Sequence, residues 1–434
     1  MVSEKEQNLL NLIDQDQSDI IQCLQKLISF KTITPQDDEI AKGEDYKELQ
    51  NYIANIIKPI GFEVETWEVD ASTLPTFPGS GVKKDRDLNN MPVLAGTLRG
   101  TGEGKSLILN GHYDVVPPGL RKNWKHDPFG GEIQDDIIYG RGSNDMKGGI
   151  AAMIQAIKFI KKAGIKLTGD VIIQTVPEEE ASCMGTLSCC QRGYVADAAI
   201  IPEPTDMNVL VAVRGGAYGK ITVYGRAGHA ELTQPHWKEG GAVNAIIKAM
   251  KIIQAFEDLT EKWKTRSDKK HKFLDPDKIM ATVINGGEWV VTYPEKVEIE
   301  FGCQFIPSTK NVIAEITDAV NKAISLDDWM KENPPKLEFH DQWWYGAEVS
   351  ENEPIAQLGF DVLKEIGYSP KFRGFGSLTD CIHLINYSKI PTISLGPTIK
   401  TAHMANELVS TKELIDTTKA LALAIVRWCG SNNE

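Results

Sequence analysis

The sequence is short of the features that would mark several common protein classes. It has seven cysteines in 434 residues (23, 183, 189, 190, 303, 381 and 429), an odd number with no CxxC pair. That excludes a disulfide scaffold and a thiolate zinc finger, and makes a reducing cytoplasm the expected setting. Positive charge is scarce: 47 Lys and Arg against 60 Asp and Glu leave a net charge of -13. A nucleic-acid binder would normally carry a basic face, and none is expected here. The one basic stretch, "KWKTRSDKKHKF" at 262–273, reads as a solvated loop. No run approaches the roughly 18 apolar residues of a membrane span. The acidic start "MVSEKEQNLLNLIDQDQSDI" lacks the basic, then apolar, pattern of a secretory leader. Repeats and low-complexity segments are also missing. What remains is ordinary globular composition, 41% apolar and 25% charged, in a chain long enough for two domains.

Hydrophobic periodicity gives the organisation. Helices are expected at about 14–30, 44–60 and 148–163, with strands at "FEVETWEV", "PVLAGTL", "SLILNGH", "GDVIIQTV" and "AAII". Alternating strands and helices predict an α/β sheet covered on both faces. From about 215 the order becomes β-α-β-β-α-β, that of a ferredoxin-like α+β unit. The helix and strand alternation then resumes. The expected architecture is a discontinuous catalytic domain, 1–214 and 343–434, with an inserted lid or dimerisation domain at 215–342.

Candidate chemistry collects where apolar strands end. "GHYDVVPPG" (111–119) presents His112 and Asp114 two residues apart, so both can face one side of a strand. "YGRGSNDMKGG" (139–149) places Asp145 at the start of a helix, where a cap is the plain alternative. "TVPEEEASCMG" (175–185) ends a strand in three glutamates, and "IIPEPTD" (200–206) fixes Glu203 between prolines. "GRAGHAELTQP" (225–235) and "TAHMANE" (401–407) add His229 and His403. Each alone is weak. Two histidines and three carboxylates at the carboxyl ends of one sheet are together a metal-site signal. Nitrogen and oxygen donors without thiolate suit Zn²⁺, with Co²⁺ or Mn²⁺ as alternatives.

These motifs, in this order and spacing, resemble the two-zinc amidohydrolase family that includes acetylornithine deacetylase, succinyl-diaminopimelate desuccinylase, aminoacylase and bacterial glutamate carboxypeptidase. The resemblance covers nearly the whole chain. It implies that His112, Asp145 and Glu203 hold one divalent ion and that Asp145, Glu180 and His403 hold a second, with Asp145 bridging. It implies Asp114 as acceptor of the second His112 ring N–H, Glu179 as general base for a metal-activated water, and Glu178 as a supporting group. Gly185, five residues past the ligand, fixes that register. His229 would stabilise the oxyanion, acting from the partner chain of a homodimer, and the Asp145–Met146 bond would be cis.

The sequence departs from the family in two places. Gln304, in "GCQFIP", stands where several relatives grip a substrate carboxylate with arginine, and "GGEWVVTYP" (286–294) replaces an asparagine-bearing loop. An amide cannot make arginine's bidentate charged pair, which weakens the desuccinylase reading. Arg373 and Arg214 remain as candidate carboxylate partners, and Gly396 as a candidate for the substrate site. The expected activity is hydrolysis of an N-acyl amino acid, acetylornithine deacetylase-like. A dipeptidase or carboxypeptidase is the alternative, and a non-catalytic binding relative is disfavoured by the intact Glu179, Glu180 and His229. The substrate partner is thus a small N-acyl amino acid or short peptide.

Overall fold

A computed structural model describes residues 2–35 and 44–432. The large sheet has nine strands among these residues. From one edge they run Glu63–Trp67, Val93–Leu98, Val171–Val176, Leu107–His112, Ala198–Ile201, Thr392–Ser394, Val209–Val213 and Ala347–Glu348, with Phe372–Phe375 also on Val209–Val213. Four central strands, 171–176, 107–112, 198–201 and 392–394, are mutually parallel. Their residues are buried without alternation, as expected for strands covered on both faces. Helices Lys147–Lys162, Gln17–Ser29 and Thr411–Cys429 form one cover. Their Ile154, Leu24 and Leu421 are fully buried, each such side chain contributing roughly 1.5–3 kcal/mol.

Because those four strands point the same way, the segments that follow them leave on one side. His112, the glutamates at 178–180, Glu203 and the loop to His403 all fall there, so the α/β expectation places the candidate residues together. Parallel pairing makes this inevitable once the strands are adjacent.

A second sheet takes Gly215–Tyr224, Lys278–Gly286, Lys296–Phe305 and Lys336–Phe339, in the order 278–286, 296–305, 215–224, 336–339. Helices Ala245–Thr265 and Val312–Ser325 complete the β-α-β-β-α-β order and share its own core around Phe256, Trp263, Ile299 and Phe301.

Several local expectations are corrected. The helix expected at 14–30 is Gln17–Ser29, and an unexpected helix, Glu4–Gln15, precedes it, the two divided at Asp16, whose φ of -116° and ψ of 38° leave the helical region. Ser3 and Glu6 close a capping box on the first. The basic stretch is largely solvated, as expected, but begins as the last turn of the helix Ala245–Thr265, and two of its residues, Trp263 and Lys269, are buried, Lys269 pairing with Asp277 at 2.8 Å and Glu315 at 3.1 Å. Opposite charges within the fold absorb it. No described helix is long and apolar enough to cross a membrane.

Candidate metal centre

The strand Leu107–His112 delivers a fully buried imidazole. Its Nε2 lies 3.2 Å from Asp145 Oδ1, 3.8 Å from Glu203 Oε1 and 3.9 Å from Glu179 Oε2. On the other side, His403 Nε2 is 3.0 Å from Glu180 Oε2 and 3.4 Å from Asp145 Oδ2. The side chains thus form two triads that share Asp145: His112, Asp145 and Glu203, and Asp145, Glu180 and His403, each with ligand atoms within 4.8 Å of one another. The five residues expected to converge do so.

Close backbone approaches make the convergence possible. A Cβ at Gly149, in the first turn of the helix after Asp145, would come within 2.1 Å of the Pro202 carbonyl oxygen. One at Gly396 would come within 2.4 Å of the Glu203 carbonyl oxygen. Only glycine lets both segments pack on the turn that carries Glu203. The Asp145–Met146 peptide bond is cis.

Asp114 differs from expectation. The His112 Nδ1–H donates to the Asp114 backbone carbonyl at 2.9 Å, whereas the Asp114 carboxylate stands 3.6 Å away. A carbonyl oxygen only accepts, so Nδ1 carries the proton and Nε2 is left free to ligate. The carboxylate is occupied elsewhere: it accepts from the Thr34 hydroxyl at 2.7 Å and from the Glu179 and Glu180 N–H groups at 3.3 Å each. It therefore shapes the glutamate turn. Glu178, at φ 72°, is the expected support. It pairs with Arg86 at 2.8 Å and accepts from the Ser182 hydroxyl at 2.8 Å.

The electrostatics describe a site short of positive charge. Burial drives the Glu179 and Glu203 carboxyls well above the usual carboxylate range, against the pull of His112. Burial raises Glu180 as well, with Asp145 adding to it. Hydrogen bonds to Asp145 and Glu180 lift His403 to about 10. Burial alone would lower His112, yet Glu203, Asp114, Asp145 and Glu179 hold it well above its ordinary value. Oε1 of Glu180 and Oε1 of Glu203 are buried without a hydrogen-bond partner, a costly state for a carboxylate. Unpartnered oxygens and an all-N/O donor set fit divalent cations of the Zn²⁺ type.

Beside the triads lies a cleft of about 680 Å³. Tyr218, Trp344 and Phe375 give it an aromatic wall, and Gln342, Ser377 and Thr379 give it neutral polar groups. Among the described residues that line it there is no arginine or lysine. The two arginine candidates are placed elsewhere. Arg214 is buried and donates to the carbonyls of Asp275 and Pro276, the latter at 2.6 Å, and to Gln304 Oε1 at 3.4 Å. Arg373 is exposed on its strand, outside the cleft lining. Gly396 is buried against Glu203 and does not line the cleft. His229 is exposed on a two-residue strand paired with Thr292, and it too stands outside the lining of its own chain.

Sequence reasoning missed three buried charges here. Arg141 and Glu407 sit inside quoted motifs and form an ion pair at 2.5 Å. A lone arginine in a glycine-rich loop and a lone acid ending "TAHMANE" were the available signals. Asp380 gave no signal. It is fully buried among Thr186 and Cys183, neither of which makes a well-formed hydrogen bond to it, and burial pushes it up to about 7.

Residues 108–427 match peptidase family M20/M25/M40. The N-formyl-4-amino-5-aminomethyl-2-methylpyrimidine deformylase of Bacillus subtilis (strain 168) is 30% identical over 446 positions, covering 98% of each chain. In fold, the chain is similar to the aminopeptidase PepT of Bacillus cereus ATCC 10987, with a TM-score of 0.71, 19% identity, and 94% and 98% of the two chains covered. It is likewise similar to the dipeptidase Dug1p of Saccharomyces cerevisiae, with a TM-score of 0.72, 16% identity, and 99% of each chain covered.

Proposed function

The chain belongs to peptidase family M20/M25/M40 and is an enzyme acting on amides; from that premise we propose that it hydrolyses a small N-acyl amine whose leaving amine carries a flat, uncharged ring. His112, Asp145 and Glu203 would hold one divalent ion, and Asp145, Glu180 and His403 the other, with Zn²⁺ favoured and Co²⁺ or Mn²⁺ acceptable. When bound, such ions polarise the scissile carbonyl and lower the pKa of water. Glu179, beside His112 but in neither triad, takes the proton of the attacking water and returns it to the nitrogen as the C–N bond breaks. The products are a carboxylic acid and a free amine. His112, aimed by the Asp114 carbonyl, keeps Nε2 towards the centre, and the Asp114 carboxylate holds the Glu179–Glu180 turn in register.

The observation that carries the substrate reading is the cleft wall: aromatic rings and neutral hydrogen-bonding groups, with no arginine or lysine among the described residues that line it. An N-acyl amino acid, acetylornithine included, brings a carboxylate that would find no arginine or lysine there, only His340 beyond the triads, to offset its desolvation. With Arg214 tied to backbone carbonyls, the support for that class is weaker than the sequence suggested. A ring such as the aminopyrimidine named for the B. subtilis relative needs stacking and neutral acceptors, which Tyr218, Trp344, Phe375 and Gln342 offer. We therefore rank a short N-acyl, N-formyl first, aminomethyl-heterocycle above N-acyl amino acids and dipeptides. Hydrolysis of all three classes, with and without a chelator, tests this. A preference of ten-fold or more for N-acetyl amino acids or dipeptides would reject it.

Two further features belong to this proposal. His229, exposed and outside the lining of its own cleft, is suited to act in the partner's site of a homodimer, supported by the exposed apolar residues beside it: Trp289 is 69% and Val290 91% exposed. All seven cysteines are buried and unpaired, which supports the expected reducing, cytoplasmic setting.

A further inference from the structure

The Arg141–Glu407 pair belongs to neither triad and takes no part in the proton transfers above, yet it joins the two loops that carry Asp145 and His403. The short strands Ile137–Tyr139 and Leu408–Ser410 pair antiparallel, which lays those loops side by side. The Gly140 N–H donates to the Glu407 carbonyl at 2.9 Å. The Glu407 side chain is fully buried, and its Oε1 accepts from the backbone N–H groups of Asn144 at 3.1 Å and Asp145 at 3.2 Å. Its Oε2 pairs with Arg141 Nη1 at 2.5 Å. Arg141 Nη2 in turn donates to the carbonyls of His403 and Pro117, both at 3.4 Å.

One buried ion pair therefore grips the backbone of two members of the second triad, Asp145 and His403. In the first triad it reaches only Asp145, because His112 and Glu203 stand on separate strand ends. A buried pair is a poor device for stability, since desolvation offsets most of its attraction. It is a good device for geometry, because each partner has few alternative positions. Groups behind metal ligands commonly alter affinity by 10- to 100-fold. We infer that Arg141 and Glu407 are positioning residues that set the affinity of the Asp145–Glu180–His403 site for its ion, with little effect on the His112 site. This rests on the metal reading above.

The test is uptake of Zn²⁺ by metal-free protein, with ions counted by native mass spectrometry and affinities measured by competition with a chelating dye. In Glu407→Gln the amide still offers an oxygen to the Asn144 and Asp145 N–H groups but turns an NH₂ towards Arg141. The second ion is expected to bind about 10- to 100-fold more weakly and the first within a few-fold of wild type. Arg141→Lys, which keeps the charge but cannot reach both Glu407 and His403, should show a smaller loss confined to the same ion. Equal weakening of both ions, or unchanged binding of both, overturns the inference. If Glu407→Gln does not fold, Arg141→Lys decides, and failure of both to fold marks a purely structural pair and also overturns it. Wild-type protein that takes up no ion overturns the metal reading itself, so the two failures are distinct.

Discussion

The carboxyl edge of the large sheet and the outer edge of the four-stranded sheet are unfinished in opposite ways. At the first, carboxylates are buried without enough positive charge, and two oxygens of the triads, Oε1 of Glu180 and Oε1 of Glu203, have no hydrogen-bond partner. At the second, the strand Lys278–Gly286 is exposed along residues 281–286, with Val283 and Ile284 open to water, and apolar tips project near His229. Desolvated charge is satisfied only by a cation of the right geometry. Exposed strand edge and apolar surface are satisfied by almost any complementary surface. The first region therefore specifies its missing component closely, and the second specifies only that something covers it.

The largest expected effect breaks the first region. Asp145 is the one residue common to both triads, so Asp145→Ala should remove activity to background and bring bound metal towards zero. Elemental analysis and turnover check this, and near-normal values for both would remove the triads from the reaction. Next comes the division of labour in the glutamate turn. Glu179→Gln should keep its metal and lose about 10²- to 10⁴-fold in kcat, while Glu180→Gln should weaken one ion. An exchange of these two behaviours would mean that the roles are shifted by one residue.

Complementation sharpens the second region. Glu179→Ala and His229→Ala should each be nearly inactive. If His229 acts across a dimer, mixing the two should regenerate one site in each mixed dimer, with about half of the wild-type activity per such dimer. The other site then lacks both groups. Absence of recovery despite demonstrated subunit exchange would assign His229 to a role within its own chain, or to none.

The smallest effect tests a buried polar group that has no place in either region. His383 is fully buried, its Nε2 has no partner, and burial lowers its pKa to about 3. The unfolded chain takes up a proton near pH 6.5 while the folded protein does not. Its contribution to stability is therefore complete above pH 6.5 and is lost as pH falls towards 3. Urea unfolding at pH 7 and pH 5 should show wild type losing about 2 kcal/mol more than His383→Leu. An identical pH dependence in the two proteins would show that His383 is protonated in the fold.

Much of this was readable along the chain, because adjacent residues report on each other through periodicity. Apolar runs such as "SLILN" and "VIIQTV" end in the chemistry-bearing residues, and the family resemblance, through Gly185, picks Glu180 from its neighbours. The misses share a cause. The break at Asp16 hides inside one continuous amphipathic pattern, and the strands Val209–Val213 and Phe372–Phe375 lie between motifs that drew the reading elsewhere. Arg214 reads as a free cation in sequence but is claimed by carbonyls 61 and 62 positions away.

By itself the sequence determined which residue types meet at the sheet's carboxyl edge, since parallel strands with short exits permit no other side. It also determined the overall α/β class and the second unit's β-α-β-β-α-β order. Tertiary structure alone decided how the polar atoms are shared out. It gave the His112 ring to the Asp114 carbonyl and the Asp114 carboxylate to the glutamate turn, and it joined Arg141 to Glu407 across 266 positions. It also removed every described arginine from the cleft wall. The reason is physical: a strand's direction is a local property of its sequence, whereas a buried hydrogen bond is settled by competition among all the donors and acceptors that folding brings within about 3 Å.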